Sequence, residues 1–197
     1  MISKVDDFFD FAPTTVEHLG TVYEGYQISL KDDYRYLLKG KITLPKEVSI
    51  GGAAAKPVLV LGNFSPKKIS DASSSNMYIT DVYFAGVSEN SYFELEQYCF
   101  GNPGPGSNYT AYKKIYLPDT VVKIGSHSFY YCKELEFVQL NNNIEYVESA
   151  AFEQCTKLKS LGLDELPANL ISCGTSAFNH AYGLYATYLP DNFNGVF

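Results

Sequence analysis

The sequence predicts an α/β repeat fold, a solenoid in which each coil of about 23 residues contributes a short strand and a short helix. The four letters YLPD occur at Tyr116–Asp119 and again at Tyr188–Asp191. Sliding the chain along itself until Ile115 falls on Val138 places residues 115–135 on residues 138–158 with their apolar positions aligned. With 46% hydrophobic and 19% charged residues, the chain also has the composition of a globular protein.

Two apolar positions define the register of the repeat. The first is a leucine that anchors the strand and recurs at nearly constant intervals: Leu117, Leu140, Leu163 and Leu189. The second is a phenylalanine that precedes the next anchor by the same interval in every unit: Phe129, Phe152 and Phe178. The third unit is slightly longer, and its extra residues fall between its anchor and its phenylalanine. That segment is therefore expected to contain a surface loop, whereas the other passes through packed contacts.

The stretch KIYLP predicts the strand of each unit. Ile115 and Leu117 alternate with Lys114 and Tyr116, which is the pattern of a strand with one buried face. Pro118 then ends the strand because it cannot donate a backbone hydrogen bond.

The stretch ESAAFEQCTKL predicts the helix of each unit. Ser149 is a good N-cap, and Phe152, Cys155 and Leu158 follow at spacings of three. One such unit cannot bury its apolar face alone, so neighbouring coils are expected to stack and to bring equivalent residues together through the core.

Two weaker units can be read upstream of the clear repeats. One has Phe84 as its anchor and Phe100 as its buried aromatic residue, followed by the long glycine- and proline-rich loop GNPGPGSNYTAY. The other has Leu44 and Phe64 in the same roles. We therefore divide the chain into an N-terminal cap at residues 1–40 and a solenoid at residues 41–197.

The predicted cap consists of a short helix and a β-hairpin. Ser3 and Asp6 resemble a helix start before the apolar residues of SKVDDFFDF. The β-rich runs YEGYQISL and YRYLLKGKITL flank the polar segment Lys31–Asp33, which predicts a hairpin turn there. This segment either covers the first coil of the solenoid or forms an aromatic arm that docks onto a partner.

The other end supplies a strand but no further phenylalanine-containing helix. The last residues are ATYLPDNFNGVF, so the final coil is half built in sequence. Either Phe193 and Phe197 fold back as a minimal cap, or this C-terminal end self-associates or meets another chain.

The run LPDTVVKIGSHSFYYCKELEFVQL, from Leu117 through Leu140, resembles the BspA-like class of leucine-rich repeats. The resemblance is specific over residues 115–189 and looser over residues 42–114. It implies a right-handed leucine-rich-repeat solenoid with a β-sheet along one side and short helices along the other. Members of the class are mostly non-enzymatic binding proteins, including surface adhesins and modules of envelope or phage-associated proteins.

Charge and hydropathy exclude some classes of partner. The formal net charge is −7, with only 15 lysines and arginines, which argues against binding to nucleic acid. No apolar run is long enough to cross a bilayer, so membrane insertion is not expected. Asp6, Asp7 and Asp10 interrupt the N-terminal apolar residues, unlike a secretory signal. These features favour an intracellular or virion setting.

The sequence contains no catalytic motif. It has no GxSxG, HExxH, P-loop or GxGxxG pattern, and its histidines, His18, His127 and His180, are isolated. The cysteines lack the spacing of a metal or redox site: Cys99, Cys132, Cys155 and Cys173. A disulfide between Cys132 and Cys155 is conceivable from their equivalent positions, but reduced, buried thiols are favoured. We therefore predict no enzyme activity, no cofactor and no metal.

Outward-pointing aromatic residues on the strands predict a binding surface. The candidate partner-binding residues are Tyr83, Tyr116, Phe137 and Tyr188. Aromatic side chains supply large contact area at low entropic cost. The predicted function is a recognition or adhesion module that binds a protein or glycan through the sheet face. The alternative is a structural assembly subunit, such as a minor or decorating protein of a phage particle.

Overall fold

The computed structural model describes residues 7–32, 38–65, 78–86, 92–101 and 112–184, which form two sheets with a core between them. The strands are β1 Phe9–His18, β2 Thr21–Leu30, β3 Lys39–Leu44, β4 Glu47–Val48, β5 Lys56–Leu61, β6 Tyr78–Phe84, β7 Phe93–Leu95, β8 Lys114–Tyr116, β9 Val121–Ile124, β10 Phe137–Gln139, β11 Tyr146–Val147 and β12 Ser172–Cys173. The larger sheet has the order β1-β2-β5-β7-β9-β11-β12, with β4 beside β5. The smaller sheet has the order β10-β8-β6-β3.

In both sheets, strands from successive repeat units pair in parallel. In the smaller sheet, Ile115 of β8 pairs in parallel with Val138 of β10, its counterpart in the next unit. In the larger sheet, Val147 of β11 pairs with both Ile124 of β9 and Cys173 of β12. The predicted stacking of like residues is therefore confirmed, and the second strand of each coil is an addition to the predicted unit.

The helix predicted for each repeat unit is wrong, since no α-helix occurs in the described residues. The segment at residues 149–158 is a series of turns instead. Non-glycine residues with positive φ lie two positions before and two positions after the repeat phenylalanines: His127, Tyr131, Ala150, Gln154, Ser176 and His180. A left-handed residue breaks the run of right-handed dihedrals that an α-helix needs, so the three-residue spacing of apolar side chains arises without a helix.

The turns form hydrogen bonds to the next coil in place of bonds within a helix. Phe129 N donates to Ala151 O at 2.8 Å, and Phe152 N donates to Ala177 O at 2.7 Å. Equivalent bonds flank them, so that the turns of successive coils form a continuous ladder, which we call the turn ladder. Each coil is thus joined to its neighbour by backbone bonds on its turn side as well as through the sheets.

A column of phenylalanine rings runs through the core along the solenoid. Its members are the aromatic residues of the strong and the weak units: Phe64, Phe100, Phe129, Phe152 and Phe178. Consecutive ring centroids lie 5.9, 5.3, 4.7 and 5.2 Å apart, and the last three pairs are stacked. The anchors Leu117 and Leu140 are also buried, as is Leu44, and all four cysteines are buried in the reduced state. The predicted core positions are therefore confirmed for these residues, whereas the anchors Phe84 and Leu163 are only partly buried and Leu189 lies outside the described residues.

The N-terminal hairpin lies elsewhere than predicted. Strands β1 and β2 pair antiparallel along their whole length, and their turn is Leu19-Gly20. Both turn residues have positive φ, 50° and 76°. A two-residue hairpin turn whose twist matches that of its strands requires this conformation at both positions. Phe9 lies in β1 and not in a helix, while residues 1–6 fall outside the described part.

The second run of the predicted hairpin belongs to the solenoid. Strand β3 pairs in parallel with β6 in the smaller sheet, with Leu44 opposite Phe84. Leu44 is fully buried in the solenoid core. The apolar face of β3 therefore packs against that core, and β3 does not pair with β2. Within the described ranges, no helix is long and apolar enough to cross a membrane.

Candidate functional site

Three of the predicted binding residues lie side by side on the outer face of the smaller sheet. Tyr83 of β6 stacks on Tyr116 of β8, with ring centroids 4.6 Å apart and planes 11° apart. The ring of Phe137 on β10 follows at 5.3 Å from Tyr116, tilted by 47°. We call these three residues the aromatic strip. The fourth predicted residue, Tyr188, lies outside the described residues.

The alternation of the strands places the strip on the outer face. Ile115 and Val138, which adjoin Tyr116 and Phe137 in sequence, are fully buried in the core. The strip residues themselves are half-buried, because each ring covers part of its neighbour. The sheet therefore holds three aromatic side chains in fixed positions, each on a different strand.

The two tyrosine rings of the strip stack on each other and are linked by a hydrogen bond between their side chains. Stacking removes one face of each ring from solvent. Desolvation, followed by the hydrogen bond and charge interaction with Tyr116, raises the pKa of the Tyr83 hydroxyl. Like tyrosine in general, Tyr83 is protonated near neutral pH and can donate a hydrogen bond.

Charged and polar residues surround the strip. Lys41, Asp81 and Lys114 are neighbours across β3, β6 and β8, on the side of the strip where these strands begin. On the other side, Gln139 pairs with Tyr116, and its side-chain amide donates to Gly162 O at 3.3 Å. The strip is therefore an aromatic centre with a polar rim, the arrangement found in protein interfaces.

A second concavity lies between the tip of the β1–β2 hairpin and the corners of the solenoid. This cavity, of about 430 Å³, is called the hairpin groove. Its lining residues are His18, Leu19, Tyr23, Tyr92, Asp119, Thr120, Val122, Asn143, Glu145 and Asn169. No local sequence pattern indicates this groove, because its walls come from segments that are far apart in the chain.

His18 is the central contact of the groove. Its Nε2 atom lies 2.8 Å from a carboxylate oxygen of Glu145, and its ring packs on Tyr92 with centroids 3.8 Å apart. Tyr23 contacts Tyr92 edge-on at 5.0 Å. The sequence suggested an isolated histidine, whereas the fold gives it a carboxylate and an aromatic partner.

Among the described residues, three further features are candidates for a catalytic or metal site, and none has the required arrangement. Ser126 Oγ lies 2.7 Å from Nδ1 of the adjacent His127, but it also donates to Ser149 O at 3.0 Å, as a turn residue that bonds the next coil. Across the described ranges, no three histidine, cysteine or acidic residues come together as a metal site. Burial raises the pKa of the Cys155 thiol well above its ordinary value, which disfavours the reactive thiolate.

Comparison with solved structures supports the repeat fold. A leucine-rich cell surface protein of Faecalibacterium prausnitzii superposes with a TM-score of 0.56 at 20% identity, over 92% of this chain and 44% of that protein. The chain thus spans less than half the length of that protein. A leucine-rich repeat protein of T. pallidum gives a TM-score of 0.38 at 20% identity, over 98% of this chain and 97% of that protein.

Sequence comparison identifies the repeat class. No curated protein sequence matches the chain significantly. The family model of the BspA type leucine rich repeat region matches residues 94–196 in six copies, which is more than half of the chain. The chain therefore belongs to the BspA-type leucine-rich-repeat family.

Proposed function

We propose that the chain is a non-catalytic recognition module that binds a partner protein through the aromatic strip. The observation that carries this proposal is the contiguous row of Tyr83, Tyr116 and Phe137 on one rigid sheet face. Aromatic residues are enriched at the centres of interfaces, where they are surrounded by polar groups. Families of leucine-rich repeats are typically non-enzymatic, which agrees with a binding role.

The orientation of the rings favours a protein over a glycan. A sugar ring packs best against an open aromatic face, but Tyr83 and Tyr116 each cover one face of the other, and Phe137 lies beside Tyr116 at 5.3 Å. Their edges and hydroxyl groups suit a protein surface that supplies apolar side chains and hydrogen-bond acceptors. A glycan, which could use the ring of Phe137, is the second choice.

The relative from Faecalibacterium prausnitzii suggests a setting for this function. That protein is described as a leucine-rich cell surface protein. We extend this to the present chain as adhesive recognition at a surface. The expectation of an intracellular or virion setting, and that of an assembly subunit, stay predictions.

A capture experiment with matched variants tests the proposed function. Immobilised wild-type protein and the double variant Tyr116→Ala/Phe137→Ala would be compared for proteins retained from native surface extracts and for binding to a glycan array. Tyr146→Ala is the control, since Tyr146 is an exposed tyrosine on the other sheet. We expect the same partner protein on wild type and control and its loss from the double variant. Equal retention by all three proteins would refute the strip as the binding surface.

A light-scattering measurement separates this role from assembly. A recognition module is expected to stay monomeric at increasing concentration in the absence of its partner. Concentration-dependent self-association that survives Tyr116→Ala/Phe137→Ala would favour the assembly subunit instead.

A further inference from the structure

The hairpin groove shares no residue with the aromatic strip, and its form is that of a small-ligand site. Its volume of about 430 Å³ lies within the range of pockets that hold small molecules or single side chains. Its walls come from the hairpin tip, from Tyr92 and from the corners that connect the two strands of successive coils. The groove exists because the hairpin tip is held against Glu145.

The polar groups of the groove include two carboxylates, which can only accept hydrogen bonds when ionised. Glu145 uses one carboxylate oxygen for His18, and Asp119 adds an exposed carboxylate. The side chain of His18 is only 10% exposed, and its Nδ1 atom has no hydrogen-bond partner in the described part of the chain. That atom is itself buried, so the charged acceptors within reach of a ligand are the carboxylate oxygens of Asp119 and Glu145. A ligand that donates hydrogen bonds would satisfy these groups.

The charged residues that line the groove favour a positively charged ligand. Among its described lining residues there are two carboxylates and no lysine or arginine. A cation is therefore attracted by Asp119 and by the second carboxylate oxygen of Glu145, and His18 is the one base among the described lining residues. Leu19, Tyr23 and Val122 supply apolar surface beside the carboxylates, which suits the aliphatic part of an organic cation.

We propose that the hairpin groove binds an organic cation of the primary ammonium or guanidinium class, such as an exposed lysine or arginine side chain of a partner. The charged group lies between Asp119 and Glu145, and the stem contacts Leu19 and Tyr23. This site is independent of the aromatic strip, so failure of one leaves the other standing.

Binding of simple probes to the full chain tests the site. Butylammonium and methylguanidinium would be titrated into ¹⁵N-labelled protein while backbone amide shifts are recorded, with 1-butanol and methyl glucoside as neutral probes. We expect saturable shifts at the groove residues with the two cations and none with the neutral probes. Asp119→Asn should weaken cation binding by roughly tenfold, since a charge-assisted hydrogen bond is lost.

The control variant is Glu134→Gln, which removes an exposed carboxylate that pairs with Lys157 away from the groove. It should leave the probe affinity unchanged, and the spectrum of each variant reports whether the fold is intact. The proposal is overturned if the shifts do not saturate, if they are equal for Asp119→Asn and wild type, or if methyl glucoside binds the groove and the cations do not.

Discussion

The ring of His18 and the carboxylate of Glu145 lie 2.8 Å apart, although 127 residues separate them in the chain. Tyr92 packs on the imidazole of this pair, with ring centroids 3.8 Å apart. The N-terminal hairpin is therefore fastened at its tip to the corner before β11 as well as along β2 to β5. The hairpin therefore contacts a later coil, whereas the predicted cap would cover only the first coil.

Replacing His18 by Ala should release the hairpin tip. The variant loses the bond to Glu145 and the ring contact with Tyr92, while the pairing of β2 with β5 remains. We expect faster hydrogen exchange at the tip, around residues 15–24, and a loss of about 1–2 kcal/mol in the free energy of unfolding. Glu17→Ala, at an exposed neighbouring position, is the control. Unchanged exchange at the tip in His18→Ala would show that the contact does not hold the hairpin.

Replacing Phe152 by Ala should strongly destabilise the solenoid. Its ring is fully buried between Phe129 and Phe178, so truncation leaves a cavity in the phenylalanine column. The expected loss is about 3–5 kcal/mol in the free energy of unfolding, measured by urea titration. Tyr182→Ala, at a ring that is 74% exposed, should change it by less than about 0.5 kcal/mol. Similar losses in both variants would contradict the column as the core.

Replacing Gln154 by Gly should stabilise the protein. Gln154 has a φ of 63°, a conformation that costs a residue with a side chain roughly 1 kcal/mol but costs glycine little. Glycine also loses more backbone entropy on folding, which offsets part of this relief, so the expected net gain in the free energy of unfolding is about 0.5 kcal/mol. Glu153→Gly, one position earlier and not left-handed, should instead lose about 0.5–1 kcal/mol. A loss in both variants would argue against the strained turn.

Alkaline pH should destabilise the fold through its buried thiols. Burial raises the pKa of Cys173 from 9.0 to about 11. Between these values the unfolded chain loses a proton that the folded chain keeps, so the free energy of unfolding falls as pH rises from about 9 to about 11. Urea midpoints across this range measure the slope, and Cys173→Ala should reduce it. An equal slope in the variant would assign the effect to other groups.

The core of this fold is predictable from sequence because the solenoid repeats its contacts. A phenylalanine that stacks on its counterparts in adjacent coils must recur at a set distance, so Phe100 and Phe64 could be assigned even in weak units. The turns were predicted as helices for a physical reason. His127 and Tyr131 adopt left-handed backbone without glycine, and no residue type in the pattern signals this.

The candidate sites differ in how far the sequence reveals them. The aromatic strip follows from strand alternation, since Tyr116 and Phe137 lie on strands with clear periodicity. The hairpin groove depends on where Leu19 and Gly20 turn the chain and on the distant position of Glu145. Such a long-range contact leaves no local pattern, so it becomes visible only in the folded chain.

The hydrogen bonds of the turn ladder all point the same way along the solenoid axis. Among the described residues, its N–H groups donate toward the following coil: those of Phe64, Tyr98, Phe100, His127, Phe129, Tyr131, Ala150, Phe152 and Gln154. Peptide dipoles aligned in this way add, as they do in an α-helix. The sum therefore lies along the solenoid axis, with its positive end toward the C-terminal coils, so that the two ends of this side differ in electrostatic potential.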